Sequence, residues 1–498
     1  MTDRRALYAL VFLAGTGVLA TEIAASRLLA PYFGSSTIVW ANLIGLVLAS
    51  LSVGYWLGGR LADRRPEPQL LGGIVLAAAA MVAVVPFVAR PFLQFAVGSL
   101  DEASEGAAIG SFFGTLFLFV PPITLMGMAA PFAIRLALAD VEHAGAVAGR
   151  LYALSTVGSL LGTFLSALVT IPLVGTQRTL LGSAALLAFG GVLLMRRRWL
   201  VAPVVLAALL AVPPGAVKPA PGLLFEQESR YQYVQVVEER GARFLHLDEG
   251  VAVHSVWRPE EVLTGGVWDT FLAVVSLLER EPRRAVVLGN AAGTTARAFA
   301  TYYPRTAIDG VELDPVVSEV GRRYFDMDDN PRLEVHDVDA RPFLRSTKHR
   351  YDLVYADAYR PPYVPFYLAT REFFALVEER LEPGGVLALN VATVPDDERL
   401  SEAIEATLRS VFSHVYVWQP LRFNRIVVAS MRPLEVGDAP EDLRPLTDLL
   451  ARDLRESDAT GRPWSDDRAP VEWITDRMIV EWAAQGGRLD ETPLPTRP

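Results

Sequence analysis

Seven apolar stretches in the first 213 residues constrain this chain more than anything else in it. They fall at about 6–30, 38–59, 70–92, 107–130, 150–173, 176–195 and 199–213. A bilayer core takes about 20 consecutive apolar residues as a helix, because each backbone N–H and C=O must be satisfied inside the segment. The first six approach or exceed that length. The seventh, Trp199 to Pro213, runs for only about 15 residues. It either crosses a locally thinned bilayer or lies at its surface. Arg4 and Arg5 ahead of an apolar run, with small residues at Ala24 to Ser26, imitate a secretory signal. The run is too long for that and more spans follow, so it reads as a first transmembrane helix. The expectation over 1–213 is a membrane α-helical bundle of about seven transmembrane helices.

Basic residues orient such a bundle. Arg4 and Arg5, Arg60, Arg64 and Arg65, Arg135 and Arg150, and Arg196 to Arg198 fall at alternate connections, whereas Asp101, Glu102 and Glu105 make another connection acidic. The N-terminus is therefore expected in the cytoplasm, in a multi-pass cell-membrane protein with lipid around its helices. Seven crossings would put the rest of the chain outside; six would return it inside. Gly54 with Gly58, and Gly158 with Gly162, are small-xxx-small pairs that allow close helix approach, within one bundle or across a homodimer seam. Glu22 and Arg27 sit in or near the end of the first helix. A carboxylate there is costly and marks either a structural pair or a functional site. No second set of six helices is visible, which argues against a complete twelve-helix transporter.

Charge divides the chain at the same place. Residues 1–213 carry 13 Lys and Arg against 9 Asp and Glu, while the whole chain carries 46 against 56. The remainder is strongly acidic, which repels nucleic acid phosphates and suits cationic ligands. There are no cysteines, and the six histidines show no metal-ligand spacing, so no metal is expected. A Pro/Gly linker covers 214–224. Two alternating runs, Tyr231 to Glu238 and Arg243 to Leu247, read as a β-hairpin within a small β region over 225–260.

Ala285 to Asp314 then reads as strand, glycine turn (Gly289 to Gly293), helix and a second strand ending at Glu312. A glycine turn alone also fits an ordinary tight connection. Glu312, 19 residues after Gly293, has the spacing of a carboxylate that accepts ribose hydroxyls. Alternation continues to about residue 430, predicting an α/β Rossmann-like, methyltransferase-type doubly wound sheet over 261–435, with a C-terminal helical extension over 436–498. Glu312, Asp339 and Asp357 each fall at or just past a strand's carboxyl end, where such sheets bind ligands.

These residues carry a resemblance. Ser229-Arg230-Tyr231-Gln232, Leu247-Asp248, the Gly289 turn, Val311 to Asp314, Asp339-Ala340-Arg341, Tyr351 to Asp357 and Leu381 to Gly385 follow one another in the order of the spermidine synthase (polyamine aminopropyltransferase) family. Glu22 to Gly34 and Trp464 to Glu472 resemble its members fused to an N-terminal multi-helix transmembrane domain. The resemblance implies transfer of an aminopropyl group from decarboxylated S-adenosylmethionine to a polyamine or related amine, releasing methylthioadenosine. It implies Asp357 as the base, with Gln232, Gly289, Gly293, Glu312 and Asp339 holding the nucleoside: Glu312 on the ribose, Asp339 near the adenine amino group. Trp268, Tyr359, Tyr363 and Tyr367 would line the amine channel.

The sequence also departs from that pattern. Ala292 stands where the family carries an Asp for the aminopropyl ammonium, and Arg360 where it carries a second Asp for the amine. Ala252, Val253 and His254 occupy the place of a Gln after Gly250, and Trp268-Asp269 replaces a Tyr-containing motif. Two other functions therefore stand beside the first. One is an S-adenosylmethionine-dependent methyltransferase. The other is a transporter or sensor with a degenerate nucleoside- or polyamine-binding synthase domain.

Overall fold

The structure is a computed structural model that describes residues 4–34, 37–100, 106–138, 143–213, 215, 217–248, 252–359 and 363–486. Arg360, the acidic connection at Asp101, Glu102 and Glu105, and the last residues of the extension lie outside the described residues. The chain separates into two compact units: 1–219 with 228–233, and 220–227 with 234–498.

The first unit is helical. It contains α1 (Arg4–Phe33), α2 (Thr37–Arg64), α3 (Pro68–Leu100), α4 (Gly106–Leu118), α5 (Val120–Gly127), α6 (Ala129–Ala137), α7 (Ala144–Leu165), α8 (Ile171–Val192) and α9 (Val201–Ala208). Among the described residues, five helical stretches are long and apolar enough to cross a membrane, by length and composition: Arg4–Phe33, Ile38–Arg64, Pro68–Phe95, Val120–Ala137 and Ala144–Val192. The sequence count and this one differ for physical reasons. The stretch expected at 107–130 is cut where Pro121 and Pro122 open α5, since proline offers no N–H to the preceding turn. The two stretches expected at 150–173 and 176–195 form one helical run, broken at Gly175 with φ 85° and ψ 168°, a backbone region that only glycine enters readily. The seventh stretch forms α9, eight residues long, between the 3₁₀ turns Arg197–Leu200 and Leu209–Ala211.

Small residues let these helices touch. A Cβ on Gly158 would lie 2.2 Å from the Phe12 carbonyl oxygen, and one on Gly162 2.2 Å from that of Thr16. Both glycines therefore face α1 inside the unit. Gly54 and Gly58 likewise meet the Thr124 to Met128 backbone.

The second unit begins with a four-stranded sheet: β1 (Leu223–Glu228), β2 (Tyr233–Glu239), β3 (Ala242–Leu247) and β4 (Val253–Trp257), in that order. Arg240 and Gly241, both at positive φ, make the tight β2–β3 turn. One face of this sheet packs Val234, Val236, Leu245 and Leu247 against Ala292, Val317, Val320 and Phe325. After α10 (Val267–Val274) comes the main sheet, which alternates β5 (Arg284–Leu288), α11 (Thr294–Tyr302), β6 (Ala307–Glu312), α12 (Pro315–Tyr324), β7 (Leu333–Asp337), α13 (Ala340–Ser346), β8 (Tyr351–Ala356), α14 (Arg371–Arg380), β9 (Leu381–Ala392), α15 (Arg399–Leu408), β10 (His414–Trp418) and β11 (Asn424–Ser430). The extension adds α16 (Arg444–Asp453), a short edge strand β12 (Arg455–Glu456) and α17 (Val471–Ala484).

The strand order is β12-β10-β11-β9-β8-β5-β6-β7. Strands β5 to β9 are mutually parallel, whereas β11, β10 and β12 join antiparallel. This is a doubly wound Rossmann-like sheet, and its order reverses between β5 and β8. Apolar layers cover both faces, one including Phe373, Phe374 and Val377 of α14, the other Phe271, Phe299 and Tyr355. Each such buried side chain contributes about 1.5–3 kcal/mol. Strand β9 starts at Leu381, ahead of Pro383-Gly384-Gly385, with a register shift against β8. The bulge accommodates these glycines inside the strand.

Candidate active site

Register brings the carboxylates together. Leu288 of β5 pairs with Val311 of β6 on one side and Ala356 of β8 on the other. Their successors, Gly289, Glu312 and Asp357, therefore emerge side by side at the reversal of strand order. Ala356 also pairs with Leu389 of β9, which places Asn390 beside Asp357. Glu312 pairs with Asp337, so Asp339 leaves the same rim two residues on.

The glycine turn is folded around Glu312. Its Oε2 accepts the Ala291 N–H at 3.0 Å and its Oε1 accepts that of Asp314 at 3.0 Å. Ala291 sits at φ 46°, which costs a non-glycine residue about 1–2 kcal/mol, and the bond to Glu312 helps hold it there. Gly289, at φ 92°, has no room for a side chain: a Cβ would lie 2.4 Å from the Asp357 carbonyl oxygen. Gly293, at φ 84°, is the N-cap of α11. Gly289→Ala is therefore expected to destabilise the chain by about 1–3 kcal/mol. A lowered Tm of the full chain, set against Gly45→Ala with open space around it, checks this.

Burial pushes the Glu312 carboxyl up to about 7, against the backbone donors that favour its charged form and with the Asp314 charge adding to the rise. Each of its oxygens keeps a second lone pair, which suits a vicinal diol.

Asp357 follows β8. Its N–H donates to the Leu288 carbonyl at 2.9 Å, and its Oδ1 accepts from Asn390 Nδ2 at 2.8 Å. Asp357 is half-buried. Burial pushes its carboxyl up to about 7, and the Asn390 bond pulls the other way. The network continues outward: Asn424 donates to Asn390 Oδ1 at 3.0 Å, and the Tyr359 hydroxyl donates to the Asn390 carbonyl at 2.7 Å. Burial, then the Asp357 charge, raises the Tyr359 phenol, so it stays protonated. A carboxylate poised near 7 can take a proton from an attacking nucleophile at neutral pH.

Asp339 caps α13, with Oδ1 accepting the Arg341 N–H at 3.0 Å, while its Oδ2 accepts the Tyr367 hydroxyl at 2.8 Å. The other expected site residues have separate partners. Tyr363 donates to Asp476 of α17. Trp268, on α10, lays its ring over Gly266, whose loop is tied by buried Asp269 accepting from Thr264 and Gly265. Gln232 lies in the Ser229–Gln232 turn, which is grouped with the helical unit. In that unit, Arg27 of α1 donates to the Arg230 carbonyl, and Glu22 lies about a turn earlier on the same helix. Ala292 is fully buried in the apolar layer of the small sheet and offers no charge. His254 is pushed down to about 4, first by burial and then by His246, and so is neutral at pH 7. Asn390 was not among the expected residues, although a lone amide inside the apolar run Val386 to Val391 is its signal.

Comparison with known proteins places this geometry in context. A family model described as the spermine/spermidine synthase domain matches residues 269–422. The chain is 34% identical over 302 residues to a probable polyamine aminopropyl transferase of Bifidobacterium longum, covering 54% of this chain and 67% of the relative. It is 30% identical over 217 residues to a polyamine aminopropyltransferase of Vibrio vulnificus, covering 42% and 72% respectively. It is also 28% identical over 203 residues to the human eEF1A lysine and N-terminal methyltransferase, covering 38% of this chain and 28% of that protein.

Proposed function

Because this chain belongs to the spermine/spermidine synthase family, we propose that it is a membrane-held aminopropyltransferase, moving an aminopropyl group from decarboxylated S-adenosylmethionine to an amine with Asp357 as base. The observation that carries the reading is the shared rim of Glu312, Asp339 and Asp357 at the reversal of strand order, with the Asp357 carboxyl pushed up to about 7.

Chemically, the amine nitrogen attacks the propyl carbon bonded to the sulfonium sulfur. The new C–N bond forms as the C–S bond breaks, and its electron pair returns to sulfur, giving neutral methylthioadenosine. The leaving thioether needs no acid. The ammonium formed on the acceptor gives its proton to Asp357. Glu312 and Asp339 hold the nucleoside through ribose and adenine, and positioning supplies much of the rate. The glycine turn fits such a substrate, since its backbone can approach without side chains intervening.

Full-length protein incubated with decarboxylated S-adenosylmethionine and a panel of diamines is expected to release methylthioadenosine. Methyl transfer from intact S-adenosylmethionine would instead favour the methyltransferase reading, which the uncharged Ala292 supports. Binding of methylthioadenosine with no turnover on any amine would favour the sensor reading.

The helical unit embeds this enzyme in a membrane on this reading. On it, α9, eight residues long, stays at the surface and the run Ala144–Val192, broken at Gly175, crosses twice; six crossings then return the chain to the cytoplasmic side, where the nucleoside donor is made. Protease added to sealed right-side-out vesicles should then spare the soluble unit; cleavage there would place it outside.

A further inference from the structure

We infer that Asp466, in the extension beyond the family match, is a positioning residue for the nucleoside end of the site, acting through Arg341 and Tyr367 on Asp339. This rests on the reading of Asp339 as a nucleoside-holding carboxylate. Asp466 lies well past residue 422, where the match to the synthase domain ends.

The chain of contacts is continuous. Both oxygens of Asp339 are engaged, Oδ1 by the Arg341 N–H and Oδ2 by the Tyr367 hydroxyl. Arg341 is 8% exposed, and its guanidinium forks onto Asp466 at 2.8 and 2.7 Å. The same guanidinium donates to the Tyr367 carbonyl at 3.3 Å. One Arg341–Asp466 pair thus grips both residues that set the Asp339 carboxylate. A planar fork on a carboxylate fixes direction as well as charge, which a single hydrogen bond cannot do.

Asp466 is itself held. Thr370 Oγ1 donates to its Oδ1 at 2.8 Å, and its own N–H donates to Glu372 at 3.0 Å. Two residues earlier, buried Trp464 donates its N–H to Thr407 Oγ1 at 3.0 Å and accepts the Arg371 N–H at 2.9 Å. The segment is therefore a fixed brace across α14, α15 and the first turn of α13. The bond from Tyr363 to Asp476 gives the extension a second hold on the loop that carries Tyr367.

Methylthioadenosine affinity, by calorimetry on the full chain in detergent, and steady-state kinetics test the inference. Asp466→Asn and Arg341→Gln are each expected to weaken methylthioadenosine binding and raise the nucleoside KM about tenfold. Amine KM and kcat should stay within about a factor of two, and the double variant should be no worse than either single one. Asp466→Glu, which keeps the charge pair, should recover part of the loss and remains measurable if Asp466→Asn does not fold. Wild-type affinity in Asp466→Glu and in every foldable Asp466→Asn or Arg341→Gln protein overturns the inference. So does a parallel loss of kcat and both KM values with a fall in Tm, which marks a structural role only. A wild-type chain that binds no methylthioadenosine overturns the nucleoside reading first, and this inference with it.

Discussion

Asp357→Asn is expected to lower kcat by about 10²–10⁴-fold, the usual worth of a positioned general base, while methylthioadenosine still binds. The amide keeps the shape and the neighbour Asn390 but cannot take a proton. Wild-type activity should also show an acid limb near pH 7. Asp357 must be ionised to act, its carboxyl is pushed up to about 7 by burial, and so turnover is present above that pH and lost below it. Asp357→Asn should remove this dependence from whatever rate remains. Retained turnover in Asp357→Asn would sink the base assignment. Stability should move the opposite way. The folded chain holds a proton on Asp357 that the unfolded chain has released between about pH 4 and pH 7, so stability falls as pH rises through that window. Asp357→Asn should then melt higher than wild type at pH 8, with the gap closing towards pH 5.

Glu312→Gln is expected to weaken methylthioadenosine binding about 10–100-fold, the worth of one or two hydrogen bonds to a charged acceptor. It also turns one oxygen that serves Ala291 or Asp314 into a donor facing an N–H. The strained Ala291 loses its tie, so the glycine turn should loosen as well. Because Glu312 is likewise pushed up to about 7, wild-type affinity should fall as pH drops below 7, when the carboxyl no longer accepts from both ribose hydroxyls. Calorimetry between pH 5.5 and 8.5 reads both effects. A pH-independent affinity equal in the two proteins would show that Glu312 does not hold the ribose.

Much of this site was legible before folding. The placement of Glu312, Asp339 and Asp357 at or just past strand ends was legible, because strand and helix periods are written in local apolar spacing. Gly289 was legible as a turn residue, but its reason was not. It is small because the Asp357 backbone passes beside it, 68 residues away in sequence. Asn390 could have been noticed as the amide in an apolar strand, yet nothing near it in sequence points to Asp357. Trp268 and Tyr363 were expected at the channel from their place in the chain. Nothing near them in sequence points to the contacts they make, Trp268 over Gly266 and Tyr363 with Asp476.

The sequence by itself determined the two-part character of the chain: apolar helices first, an alternating α/β half after. The signals for both are local, since segment length, hydrophobic period and proline or glycine breaks act within a few residues. The breaks at Pro121, Pro122 and Gly175 are local in the same way, although apolar spacing alone did not place them. Tertiary structure alone decided that Gly158 and Gly162 meet α1, and that Arg341 finds Asp466 across 125 residues. Such pairs form only when packing closes long loops, and a charge pair at that separation leaves no periodic trace in the chain.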